Sequence, residues 1–214
     1  HLNETIYGTG IAASHEGHAT AAGNWEPDHV LANVCKQNVT RFPYEIGRLA
    51  QDLAGGAVVG TSFLTVYAGL RCPPEAVSIS ETTNFISTST DIDRDFALCR
   101  TLDVSEQPLI MSCYDVSDPT FSPEGTCQAA IVLMKYAEPW LRVPPEEYAA
   151  EKYRAAEVVL KRIEPHFPGF SANIEELEIA TPVTHMRYLG HPGGSPYGFE
   201  QHVKDSTLFR NPKP

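Results

Sequence analysis

Near the carboxyl end of the chain, residues 181–200 combine glycines, prolines, tyrosines and one arginine in a pattern suited to binding a flat ligand. The candidate binding residues in this stretch are Arg187, Tyr188, Gly193, Gly194, Tyr197 and Gly198. The adjacent glycines allow positive φ angles and let a ligand come close to the main chain. The arginine adds a fixed positive charge, and the two tyrosines add rings with a polar tip. A surface turn rich in glycine and proline is the alternative interpretation.

This stretch resembles the segment before the last FAD-binding element of carotenoid desaturases such as phytoene desaturase, carotenoid isomerases and retinol-saturase-like flavoproteins. That family shows roughly the pattern T-P-x-T-x-x-R-Y-x-G-x-P-x-G-x-x-Y-G, and residues 181–198 match it at every named position. The resemblance covers roughly residues 62–214. It implies the substrate-binding domain of a FAD-dependent oxidoreductase that desaturates, saturates or isomerises C=C bonds in a carotenoid, retinoid or similar long apolar substrate. It also implies that the six candidate residues lie beside the flavin and the substrate.

Such flavoproteins hold the FAD diphosphate at a strand that is followed by Gly-x-Gly-x-x-Gly. Gly8, Gly10 and Ala13 fit a related spacing, but residues 1–7 are too polar and too short for the buried strand that the motif requires. We therefore expect FAD in a longer parent enzyme, whereas the 214 residues alone should neither bind FAD nor be active. No catalytic residue is identified. A non-enzymatic ligand-binding or interaction module without flavin is the alternative.

Two groups of side chains have a spacing that metal ligands also use. They are His15, His18 and His29, and Asp91, Asp93 and Asp95. A glycine between the first two histidines opposes the helix that would bring them together, and the aspartates lack the glycine and distal glutamate of a calcium loop. The five cysteines include no Cys-x-x-Cys pair, so neither zinc nor a redox pair is predicted. We expect no bound metal and buried, reduced thiols.

Composition restricts the partners of the protein. The formal net charge of −11 argues against nucleic acid, because neutralising phosphates requires a surplus of Lys and Arg. It argues equally against simple electrostatic attachment to anionic lipid. No apolar run approaches the ~20 residues of a membrane-spanning helix, and no signal peptide is visible. We expect a cytoplasmic protein. Because the expected substrate is long and apolar, a peripheral contact of the parent enzyme with a membrane is kept as an alternative. The sequence does not determine the oligomeric state.

The elements that position the candidate residues follow from apolar periodicity. Residues 30–54 predict two helical pieces, and β-branched and aromatic residues predict strands at 62–70, near 84–87, and at 108–114, 126–135 and 174–180. A short helix is predicted from Asp91, and a long helix from Pro144. The predicted apolar face of the long helix consists of Tyr148, Ala149, Tyr153, Ala156, Val159, Leu160 and Ile163. Residues 187–198 are expected to form a loop.

Strands that are adjacent in sequence are expected to run antiparallel. We predict an α+β fold with a mixed, largely antiparallel sheet backed by helices on one face. We also predict a division into residues 1–60, a divergent and partly helical region, and residues 61–214, the substrate-binding domain. That domain would end just before the C-terminal FAD-binding element that the family resemblance implies.

Overall fold

The computed structural model describes residues 58–200, together with the backbone of two short strands, β1 (Gly17–Ala19) and β2 (Trp25–Pro27). The predicted helices at 30–54, the glycines at positions 8 and 10 and the histidine group at 15–29 lie outside the residues whose side chains are described. Residues 61–185 form one compact unit, and residues 58–60 and 186–200 belong to a second.

The larger unit is built on five strands and three helices, and a fourth helix, α4, begins at its last residues. The strands are β3 (Ser62–Leu70), β4 (Thr83–Ile86), β5 (Leu109–Ser112), β6 (Cys127–Lys135) and β7 (Ile174–Ala180). The helices are α1 (Ile92–Leu98), α2 (Ala137–Leu141), α3 (Tyr148–Ile163) and α4 (Pro182–Leu189). Each of the five predicted strands is confirmed, as are the short and the long helix.

The five strands form one sheet in the order β4-β5-β6-β3-β7, and every described pairing is antiparallel. The centre of the sheet is the pair β3–β6, whose register runs from Ser62 opposite Lys135 to Leu70 opposite Cys127. The predicted α+β class with a largely antiparallel sheet is therefore confirmed.

One face of this sheet carries the hydrophobic core. Along β3 and β6 every second residue is fully buried, as in Leu64, Val66, Ile131 and Leu133, because successive side chains of a strand point to opposite faces. These residues share one core cluster with the buried residues of α2 and α3. The helices therefore cover this inner face, and the opposite face of the sheet is called the outer face below.

Helix α3 begins at Tyr148, one turn after the proline pair that was expected to open it. Its buried residues are Ala155, Ala156, Val159 and Ile163. Two members of the predicted apolar face are wrong: Tyr153 is 60% exposed, and Ala149 is exposed as well. At about 100° per residue, both positions lie on the flank of the stripe that faces the sheet, where Leu160 is only half-buried. The sequence pattern predicted the helix but misjudged its rotation.

A lysine lies in the interior at the end of β6. Lys135 has no exposed surface, and its Nζ donates to the carbonyl oxygens of Leu98 at 2.9 Å, Thr101 at 3.0 Å and Asp103 at 2.6 Å. Burial lowers the pKa of this ammonium to about 8. The three carbonyls belong to the end of α1 and the loop after it. The hydrogen bonds of Lys135 therefore connect that segment to the sheet.

Cys72, Cys99, Cys113 and Cys127 are all buried and free, which confirms the expected reduced thiols for the part of the chain that is described. Burial raises the pKa of the Cys72 and Cys99 thiols. Raised thiol pKa values accompany low reactivity, because the thiolate is the nucleophile. Cys72 and Cys99 therefore act as small apolar residues of the interior.

Candidate functional site

Helix α4 carries the first two candidate residues, Arg187 and Tyr188, so the prediction of a loop at these two positions is wrong. The helix begins where Thr181 and Thr184 cap each other: each backbone N–H donates to the other hydroxyl, at 3.1 and 3.4 Å. Such reciprocal capping satisfies N–H groups that lack helical partners, and Pro182 suits the first turn because it has no N–H. The Thr-Pro-x-Thr motif is thus the start of a helix.

The loop that follows α4 contains the remaining candidate residues. Gly193, Gly194 and Gly198 have φ angles of 62°, 64° and 78°, which only glycine adopts readily, so the predicted positive φ of the adjacent glycines is confirmed. The loop is held by Ser195, whose Oγ donates to the carbonyl of Gly198 at 2.8 Å. The carbonyl oxygen of Ser195 lies 3.0 Å from Nδ1 of His191. The loop is therefore a defined turn in which the backbone is closely folded.

The three charged or aromatic candidates lie towards the surface of this segment. Tyr197 is 84% exposed, Tyr188 is also exposed, and the guanidinium of Arg187 lies 5.7 Å from the centre of the Tyr188 ring. A cation over an aromatic face is a favourable contact of about 0.5–1 kcal/mol at an exposed site. The roles of these residues beside a flavin or substrate remain predictions.

A short antiparallel bridge joins this loop to residues 58–60. Gly60 N donates to Gly198 O at 2.8 Å, and Glu200 N donates to Val58 O at 2.7 Å. A Cβ atom at Gly60 would lie only 2.8 Å from the Gly198 carbonyl oxygen and 3.0 Å from Ser195 Oγ. Position 60 therefore requires glycine for close backbone packing.

The outer face of the sheet is apolar over most of its width. Its residues include Phe63, Tyr67, Phe85, Ile110, Val132 and Met134. Phe85 is 78% exposed, and Tyr67, Ile110 and Met134 are exposed to a lesser degree. Large apolar side chains grouped on one exposed face mark interaction or ligand-binding surfaces in soluble proteins. The sequence analysis missed this surface, although the apolar residues at alternate positions of β3 and β6 indicate it.

The strand register orders this surface into rows. One row crosses all five strands through Phe85, Ile110, Val132, Thr65 and Ala180. Thr65 and Ala180 are buried within the protein, so the exposed part of the row runs from Phe85 through Ile110 to Val132. With strands about 4.8 Å apart, these three residues span roughly 10 Å and offer an apolar surface that crosses three strands.

Acidic residues of β7 lie along one edge of the outer face. Glu178 lies opposite Tyr67, and Glu176 lies opposite Gly69. Lys152 Nζ approaches Glu178 Oε1 at 3.3 Å. The apolar surface therefore ends in charged groups at one edge, where an apolar ligand would gain nothing.

Helix α4 contributes one side chain beside the apolar surface. The ring of His185 meets the ring of Phe63 edge-on, with centroids 6.3 Å apart and an angle of 85° between the planes. Phe63 pairs with Met134 on the outer face. Burial lowers the pKa of His185, so its imidazole is neutral near pH 7.

The described residues contain no group of three or more potential ligands that could hold a metal ion. Asp91 instead caps α1, where its Oδ1 accepts from the N–H of Arg94 at 3.0 Å. The acidic residues that resembled calcium ligands thus stabilise a helix terminus. None of the helices in the described ranges is long and apolar enough to span a membrane.

Residues 1–63 match a family model described as HpaB, 4-hydroxyphenylacetate 3-hydroxylase C terminal. A stretch of 59 residues, 28% of the chain, is 70% identical to 4-hydroxybutyryl-CoA dehydratase/vinylacetyl-CoA-Delta-isomerase of Clostridium aminobutyricum, of which it covers 12%. The resemblance to carotenoid enzymes did not anticipate this likeness of the first 63 residues.

A longer match supports the resemblance to carotenoid isomerases in part. Over 145 residues, 66% of the chain, the sequence is 28% identical to the chloroplastic prolycopene isomerase of Arabidopsis thaliana and covers 22% of it. Over 91 residues, 42% of the chain, it is 32% identical to prolycopene isomerase 1 of an Oncidium hybrid cultivar and covers 15% of it. More than half of the 145-residue match must lie beyond residue 63. The chain spans less than a quarter of these relatives and resembles two kinds of enzyme.

Proposed function

We propose that residues 61–200 serve as the substrate-binding part of a longer FAD-dependent oxidoreductase that acts on a carotenoid, retinoid or similar long apolar substrate. The observation that carries this proposal is the apolar outer face of the five-stranded sheet. A polyene offers few hydrogen-bonding atoms, so its site needs apolar area more than charged contacts. The match to prolycopene isomerases supports the same substrate class.

The outer face suits such a substrate because its exposed side chains are mainly apolar and belong to a rigid sheet. Ile110 and Val132 pair directly, and the exposed ring of Phe85 lies beyond Ile110. Burying apolar surface stabilises a complex by about 25 cal/mol per Å² before the costs of association. A ligand laid along this row would bury its own surface together with these side chains.

The described residues fit a flavin only in part. Gly193 and Gly194 provide the positive φ angles that allow close backbone approach, and Arg187 provides a cation suited to a reduced flavin. Residues 58–200 contain no glycine-rich turn between a strand and a helix that could hold the diphosphate. FAD, when bound in the longer enzyme, would supply the hydride or electron transfer. The residues described here would hold and orient the substrate.

The apolar surface is tested by titrating the purified chain with a polyene hydrocarbon, deoxyretinol. Binding is measured from the fluorescence of the deoxyretinol. We expect a dissociation constant in the micromolar range, about −8 kcal/mol. Ile110→Asp should weaken binding at least tenfold, because a carboxylate on the outer face would lose its hydration against the ligand. The matched control is Ile92→Asp, since Ile92 is an exposed isoleucine on α1. Equal affinities of the two variants would remove the outer face from the proposal.

The flavin part of the proposal is tested separately. Purified chain mixed with FAD should remain colourless after gel filtration, whereas stoichiometric yellow protein would show that the longer enzyme is not needed. In the longer enzyme, Arg187→Met should slow flavin reduction, because it removes the cation while keeping a long side chain. Wild-type kinetics in this variant would leave Arg187 a purely structural role.

A second candidate function rests on residues 1–63. The Clostridium relative, 70% identical over 59 residues, is named for dehydration of a 4-hydroxybutyryl thioester of coenzyme A. We propose that an enzyme containing this segment acts on an acyl-CoA. Calorimetric titration of the chain with 4-hydroxybutyryl-CoA tests this candidate: heat of binding would support it, and the absence of heat would remove it.

A further inference from the structure

His185 brings a polar group to the margin of the apolar outer face. Its ring packs edge-on against Phe63, which lies beside Met134 on that face. Within the part of the chain that the structure describes, His185 Nε2 is buried and has no hydrogen-bond partner. The nearby polar network at the start of α4, formed by Thr181 and Thr184, does not include this atom.

A buried polar atom without a partner costs about 1–3 kcal/mol, so proteins satisfy nearly all such atoms. An imidazole that only filled space beside Phe63 could be replaced by an apolar ring without this cost. The presence of histidine at this position is therefore explained best by a partner that the protein binds.

The chemistry of the partner follows from the protonation state of the ring. Burial lowers the pKa of His185, so near pH 7 the ring is neutral and carries one N–H donor and one acceptor nitrogen. A neutral imidazole among apolar groups suits an uncharged hydroxyl or carbonyl better than a carboxylate or phosphate. The neighbouring ring of Phe63 requires that the rest of the ligand be apolar.

We propose that His185 is a specificity-determining residue that hydrogen-bonds, through Nε2, to a single hydroxyl or carbonyl group on an otherwise hydrocarbon ligand lying on the outer face. This inference rests on the proposed function of that face and narrows it. The preferred ligand is a polyene alcohol, aldehyde or ketone, and a pure hydrocarbon of the same shape binds less tightly.

The test compares retinol with deoxyretinol, which lacks only the hydroxyl group, by fluorescence titration of the purified chain. The wild-type protein should bind retinol about tenfold more tightly than deoxyretinol, which corresponds to about 1.4 kcal/mol. His185→Phe should bring the ratio of the two affinities close to one. His185→Gln, which keeps a donor and an acceptor, should retain most of the preference.

The matched control is His166→Phe, since His166 is exposed in the turn that follows α3 and should leave the ratio at its wild-type value. Equal affinities of the wild-type protein for the two compounds would overturn the inference and leave the proposed function standing. Failure of both compounds to bind would overturn the proposed function and the inference together. Because the wild-type ratio decides the matter, the test does not depend on the folding of any variant.

Discussion

Replacing Lys135 with methionine removes an ammonium group from the interior while keeping a long side chain. The native Nζ donates to the carbonyls of Leu98, Thr101 and Asp103. Leu98 O keeps other donors, because it also accepts from the backbone N–H and the Oγ1 of Thr101. The carbonyls of Thr101 and Asp103 lose the donor that the structure shows for them, at about 1–3 kcal/mol each.

The same substitution removes the cost of burying a charge, so the two effects oppose each other near neutral pH. The pKa of Lys135 is about 8 in the folded protein, against an ordinary value of 10.5. The folded state therefore binds fewer protons than the unfolded state between these values, and the free energy of unfolding rises with pH across this window. Between pH 7 and about pH 9.5 the wild-type protein should gain roughly 2 kcal/mol from this group.

Urea denaturation at the two pH values measures the prediction. The destabilisation caused by Lys135→Met should be roughly 2 kcal/mol larger at the higher pH, because the variant lacks the titrating group. Lys161→Met is the matched control: Lys161 is exposed and pairs with Glu157 at 2.7 Å, so its effect should stay within about 0.5 kcal/mol at both pH values. A destabilisation by Lys135→Met that does not change with pH would refute the reasoning, since the lysine would then keep its ordinary pKa.

Two further substitutions test the packing by the same urea method. Gly60→Ala should destabilise by about 1–3 kcal/mol, because its Cβ would lie 2.8 Å from the Gly198 carbonyl oxygen. Gly69→Ala, whose Cβ would meet Glu176 Cβ at an ordinary 3.4 Å, should be much milder, and similar losses would contradict the close packing at position 60. Ile163→Ala should cost about 2–5 kcal/mol because Ile163 is fully buried, whereas Tyr153→Ala should stay near 0.5 kcal/mol. A larger loss at Tyr153 would restore the face of α3 that the sequence pattern predicted.

Local patterns predicted the elements of this fold well, because the strands have strong β propensity and the turns contain proline or glycine. They failed where burial depends on distant parts of the chain. The rotation of α3 is one case: Tyr153 fits an apolar stripe in sequence, but the sheet beneath the helix lies on another side. The helical state of Arg187 is another, since a Gly- and Pro-rich context concealed the capping by Thr181 and Thr184.

The candidate site was predicted only in part for the same reason. The positive φ of Gly193 and Gly194 follows from residue type alone, so the sequence predicted it correctly. The outer face consists of residues from four strands that are brought together by register, and a sequence pattern does not contain that register. The contact between His185 and Phe63 joins residues 122 positions apart in the chain.

The pairing of β3 with β6 has a consequence for the synthesis of the protein. Strand β3 is made first, but its partners β6 and β7 begin 65 and 112 residues after it begins. At roughly 5–20 residues per second, the ribosome takes several seconds to deliver these partners. During that time a nine-residue strand rich in apolar side chains has neither of its neighbours. Unpaired strands of this kind aggregate readily, so the order of the strands makes the nascent chain dependent on protection until β7 has been made.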